Sequence, residues 1–178
     1  MNKEFEKTFK ALQLQRENLL TSIKKISPEA YSQSPSPGKW SISQILTHLL
    51  TSERVSLSYM KKKSLGVEKL KDSGLVEAIR LWVMIISQRI PVKYKAPNVL
   101  VQNTPEALPL DELIQQWDLV RGELVSFLTS IEEKNVRKII YKHPIAGRLD
   151  ARQAMVFFQE HIIHHTPQIN RILKARHK

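Results

Sequence analysis

The 178-residue chain has no cysteine, which excludes disulfide frameworks, thiol nucleophiles, iron–sulfur clusters and every zinc site built on thiolates. Any metal must therefore rest on His, Asp and Glu. Glycine is scarce, at five residues, and with nine prolines and 42% hydrophobic residues the composition excludes collagen-like, low-complexity and wholly disordered chains. Long apolar runs are missing too. The longest is Leu81-Trp82-Val83-Met84-Ile85-Ile86, far short of the roughly 20 residues that a membrane-spanning helix needs. Charges at Lys3, Glu4, Glu6, Lys7 and Lys10 occupy the stretch where a secretory signal would place its apolar core. A cytoplasmic protein outside the membrane is the expectation. The length suits one domain, residues 1–178, with a core of its own.

Acidic residues are the minority, 17 against 28 basic ones, for a formal net charge of +11. Such a balance meets the electrostatic requirement for nucleic-acid binding. However, the basic residues are spread along the chain. Only Lys61-Lys62-Lys63 and the tail residues Arg171, Lys174, Arg176 and Lys178 cluster, and neither cluster is interleaved with aromatic residues as a stacking platform would be. A non-catalytic basic bundle binding nucleic acid or an acidic partner stands as the alternative to the enzymatic reading below, with nucleic acid disfavoured as a partner.

What is abundant is helical periodicity. Between Lys3 and Ile26 the apolar positions Phe5, Phe9, Leu12, Leu19, Ile23 and Ile26 follow helical spacing, with Arg16 filling the one gap, expected to snorkel at the core's edge. Ser27-Pro28 is read as the end of that helix. Turn residues Pro35, Pro37 and Gly38 lead to Trp40, and a second helix is predicted over 42–61, capped by Ser41 or Ser43. Its apolar face comprises Ile42, Ile45, Leu46, Leu49, Leu50 and Val55, with His48 within it. Leu75 to Arg89 reads as a short helix, apolar on most sides and hence buried. Four prolines between Ile90 and Pro109 predict an extended surface connection. Leu113, Trp117, Val120, Leu124, Phe127 and Ile131 form the most regular stripe of all. Arg137 to Gly147 reads as a loop with one extended segment, and Asp150 with Gln153 forms a capping-box variant that opens the last helix. The sum is an all-α fold of four long helices, one additional short helix and long connecting loops. Trp40, Trp82 and Trp117 are expected in the core, Trp40 with the option of lining a pocket mouth.

His161 and His165 lie one helical turn apart, a spacing that lets two imidazoles share one divalent cation. Ala154, Phe158, His161, His165, Gln168 and Ile172 share a stripe at steps of three and four residues, so both histidines belong to the face that packs inward. His164 falls on the flank, and His143 reads as a turn residue rather than a fourth ligand. One helix supplies two such ligands, so a third must come from elsewhere. His48 is the remaining histidine on an apolar helical face. Three neutral imidazoles with an open position for water or substrate make a catalytic type of site.

The segments Trp40-Ser41-Ile42 leading to His48-Leu49, then Ala96-Pro97, then His143-Pro144-Ile145-Ala146-Gly147 leading to His161, His165, Gln168 and Ile169 resemble the DinB/YfiT-like superfamily. The resemblance implies a four-helix up-down-down-up bundle, with metal ligands His48, His161 and His165 holding a divalent ion, zinc or nickel foremost. It also implies a homodimer, and transfer of a low-molecular-weight thiol of the bacillithiol type or metal-dependent hydrolysis, on a small-molecule substrate. In the transferase version the thiol must arrive as cosubstrate, since the chain has none of its own. In the hydrolase version Glu53 or Glu160 is the candidate base. Pro167, two residues past His165, departs from the family pattern and is expected to kink or widen the helix beside the ligands.

Overall fold

The computed structural model describes residues 1–89 and 106–175. Among them are six α-helices: α1 Lys3–Ile23, α2 Pro28–Ser32, α3 Ile42–Ser64, α4 Leu75–Arg89, α5 Leu110–Ser130 and α6 Ala151–Ala175. A two-stranded antiparallel sheet, β1 Tyr141–His143 with β2 Gly147–Leu149, precedes α6. Most of the predicted 90–109 connection, including Ala96-Pro97, lies outside the described residues, as does the end of the basic tail from residue 176 onward. No described helix is long and apolar enough to cross a membrane.

The long helices are amphipathic, and their apolar stripes meet. Helix α6 packs against α1, α3 and α4, while α5 packs against α3. Phe5, Leu12 and Ile23 of α1, Ile42, Ile45 and Leu49 of α3, Leu113 and Trp117 of α5, and Phe158, Ile162 and Ile169 of α6 are buried in one cluster.

Local signals place the helix starts. Ser41 caps α3, accepting from the Gln44 amide at 3.2 Å while the Gln44 side chain accepts from the Ser41 amide at 2.9 Å. Ser43 instead donates to the carbonyl of Leu108 at 2.8 Å. At α6, Asp150 accepts from the Gln153 amide at 2.8 Å and Gln153 returns the bond at 3.0 Å. A third bond ties this cap to the chain before α4, Ser73 Oγ donating to Asp150 Oδ2 at 2.5 Å. At the start of β2, Gly147 sits at φ +75°, a conformation that favours glycine.

Several expectations are corrected. Ser27-Pro28 opens a helix rather than closing one: α1 ends at Ile23, and Ser27 caps the short α2, accepting from the Ala30 amide, with Pro28 at its first turn, where the missing N–H costs nothing. Arg16 does not snorkel. It is buried, paired with Asp118 at 2.7 Å, and its guanidinium lies 5.2 Å from the Trp117 ring centroid. Val55, expected on the apolar face, is exposed. Helix α4 is buried on one side only, through Leu81 and Met84, and Trp82, expected in the core, is 64% exposed. The loop read with one extended segment forms a hairpin. Helix α6 keeps Pro167 inside its Ala151–Ala175 span, and Thr166 Oγ1 donates to the Ile162 carbonyl at 2.7 Å.

Candidate metal centre

Helix α3 contributes one histidine and α6 two. Because α3 and α6 are packed neighbours, the inward stripes bring His48, His161 and His165 together. One ring nitrogen from each lies within 4.8 Å of the others. His48 Nε2 and His161 Nε2 are 3.1 Å apart, one donating to the other, and the ring centroids are separated by 4.9 to 5.2 Å. His165 is buried, whereas His48 and His161 keep some exposure, so the cluster opens on the side of the latter two.

The surroundings hold these rings neutral. Burial lowers the pKa of His48, with the neighbouring His164 adding to the effect. Burial first, and then the other histidines, push His161 well below its ordinary value. Burial takes His165 down to about 3. A neutral imidazole offers a lone pair, which is what a cation requires. Gln168 selects the atom for His165: its Oε1 accepts from Nδ1 at 3.1 Å, which leaves Nε2 as the donor to an ion. Trp40 packs its ring 5.2 Å from that of His48, and Phe157 stacks on His161 at 5.3 Å, fixing both rings from the side.

The flank residues take other roles. His164 is exposed, and its Nδ1 donates to the carbonyl of Gln88 on α4 at 2.9 Å. His143 Nδ1 accepts from the amides of Ile145 and Ala146 at 3.2 and 2.9 Å, which makes it the organiser of the hairpin turn.

The two carboxylates considered as bases are both engaged. Glu53 is buried against α5, accepting from Trp117 Nε1 at 3.0 Å and from Arg121 at 2.8 Å. Glu160 accepts two bonds from Arg89 at 2.9 and 2.7 Å. Lys61 of the basic cluster is bound to Glu123 at 2.6 Å. The ring contacts of Phe157 and the clamp from Arg89 had no counterpart in the periodicity. Gln168 did, since it stands on the same stripe as the two histidines three and seven residues before it.

These features define a helical protein with a three-histidine cluster drawn from two packed helices. The model of the DinB superfamily matches residues 11–169, and the chain belongs to that superfamily. It is also similar to the uncharacterized protein YuaE of Bacillus subtilis (strain 168), at 27% identity over 150 residues, covering 84% of this chain and 87% of that protein.

Proposed function

We propose that His48, His161 and His165 are the ligands of a divalent metal ion, zinc or nickel, in a cytoplasmic enzyme acting on a small molecule. The observation that carries this reading is the convergence of three neutral ring nitrogens within 4.8 Å, with neither of the carboxylates considered as bases left free. An ion there would supply Lewis acidity, lowering the pKa of a coordinated thiol or water toward neutrality. The up-down-down-up order of the long helices belongs to the same reading.

Of the two chemistries, transfer of a low-molecular-weight thiol is favoured over hydrolysis. Hydrolysis calls for a base beside the attacking water, and Glu53 and Glu160 are both held in ion pairs with arginines. Thiol transfer asks less of the protein, because the thiol sulfur is itself the nucleophile once deprotonated: sulfur bonds to the electrophilic carbon and the leaving group departs with its electron pair. The net charge of +11 favours a thiol that carries carboxylates, within the screening length of about 10 Å.

Elemental analysis of protein purified without an affinity tag tests the ligand set. Alanine at His48, His161 or His165 is expected to lower bound metal at least tenfold, while His164→Ala and His143→Ala leave it nearly unchanged. Loss of metal in His164→Ala with retention in His165→Ala would reject this ligand set. Activity is tested with the metal-loaded protein, bacillithiol or glutathione and a haloaromatic acceptor. Equal rates for wild type and His161→Ala would reject the transferase reading.

A further inference from the structure

We propose that Trp40 binds the second substrate of the histidine centre, a planar apolar electrophile carrying an oxygen that accepts the indole N–H. This rests on the reading of the three histidines as metal ligands, and it names the class of compound on which the thiol acts. Transfer requires the electrophilic carbon to be held about 3–3.5 Å from the attacking sulfur. Its binding surface must therefore lie beside the three rings, on the side where they meet solvent.

Trp40 meets both conditions. Its ring centroid is 5.2 Å from that of His48, with the planes tilted by 50°, and His48 is one of the two rings of the cluster that keep some exposure. Phe157, packed on His161, is only 5% exposed and offers a ligand nothing. Trp40 is half-buried, so part of its indole stays at the surface.

The indole N–H is the sharper observation. A buried tryptophan finds a partner for this group, and Trp117 does so, donating to Glu53 at 3.0 Å. Among the described residues Trp40 Nε1 makes no hydrogen bond, and it is not one of the sealed polar atoms left unpaired. It is a free donor at the mouth of the centre. His164 Nδ1 and Gln168 Oε1, also beside the rings, are already bonded, to the Gln88 carbonyl and to His165.

The chain on either side holds the ring in place. Before it, Gly38 turns at φ +72° and the Lys39 amide donates to the Ser36 carbonyl at 3.1 Å. After it, Ser41 and Gln44 close the capping box of α3. A donor fixed in this way needs little ordering when a ligand binds. Its chemistry also selects that ligand. A carboxylate is better matched by a guanidinium or an ammonium group, whereas a carbonyl on a flat ring suits an indole, which has an apolar body and a polar edge.

The test is binding of acetophenone, which has the flat ring and the oxygen but no leaving group. Toluene lacks the oxygen and acetylcyclohexane lacks the flat ring. The full chain is titrated with chelator present and followed through its three indole N–H signals by nitrogen-15 NMR, assigned with Trp40→Phe and Trp82→Phe. Acetophenone is expected to bind about fivefold more tightly than either analogue, the worth of one net hydrogen bond. It should perturb the Trp40 signal and slow its exchange with water, leaving the Trp117 signal in place. Trp40→Phe keeps a flat ring without the N–H, and should bind acetophenone and toluene equally. Equal affinity of the wild type for all three probes, a response centred on Trp82, or undiminished acetophenone binding in Trp40→Phe would each overturn the proposal. The comparison of probes in the wild type does not depend on any variant folding. Metal content, measured separately, reports on the histidines, and the titration reports on Trp40.

Discussion

Glu53 organises the polar interior between α3 and α5. Its carboxylate takes the indole N–H of Trp117 and the guanidinium of Arg121, both buried, and the Trp117 ring has Arg16 and Arg121 at 5.2 and 5.9 Å. Removing one member leaves a buried charge without its counterpart, and Glu53→Ala is expected to cost about 3–5 kcal/mol in urea unfolding. His143 makes a different prediction, in pH. Burial pushes its pKa down to about 4, and its Nδ1 is already occupied as an acceptor for two amides. The unfolded imidazole takes up a proton near 6.5 whereas the folded one waits until about 4, so stability falls as pH drops through that window, by up to about 3 kcal/mol from this residue. Urea midpoints between pH 7.5 and 4.5 should show a shallower acid loss in His143→Asn than in wild type. Neither arrangement was legible in the sequence. Arg16 stood out as an interruption in a stripe, but its depth depends on Asp118, Ile114 and Trp117, which arrive from a helix about a hundred residues away.

Helix ends and helix faces differ in how openly the sequence declares them. Periodicity over α1, α3, α5 and α6 marked four of the helices, because each has one polar side and one apolar side. Helix α4 misled, since an apolar surface on most sides reads as burial, whereas among the described residues only Leu81 and Met84 of this helix are buried. The start of α2 was also misread, as Ser-Pro after an apolar stripe fits a helix end as well as a cap with proline at the first turn. Asp150, by contrast, was legible as a cap, though not its bond to Ser73. Asp150→Ala is expected to destabilise by about 2 kcal/mol, and Ser41→Ala, whose hydroxyl has only its own helix to serve, by about 1 kcal/mol. Pro167 offers a gain. Restoring the amide in Pro167→Ala should raise stability by about 1–3 kcal/mol without changing the metal stoichiometry, as α6 already passes through this position without interruption. Thermal or urea unfolding checks all three.

At the scale of the molecule, the three histidines were identifiable because each lies on an inward stripe, while their contact across 113 residues needed the packing of α3 on α6. That packing makes the proposed ion a crosslink between two helices. An ion bound only by the folded chain stabilises it by about 2.7 kcal/mol at a hundredfold excess over its dissociation constant. For a chain of this size that corresponds to a rise of about 5–10 °C in the unfolding temperature. Chelation should reverse the shift in wild type and have no effect in His161→Ala. An equal response in both proteins would place the stabilising ion elsewhere.

The three tryptophans occupy three unlike surroundings: Trp117 sealed in the interior and bonded to Glu53, Trp40 beside His48, and Trp82 on the open side of α4. Their emission therefore separates by colour and by quencher. Trp117 should emit blue and resist iodide. Trp82 should emit red and be quenched by it, and Trp40 should dim when a paramagnetic ion such as nickel enters the histidine cluster. One cuvette then reads the state of the core, the centre and the outer surface at once, with no label attached.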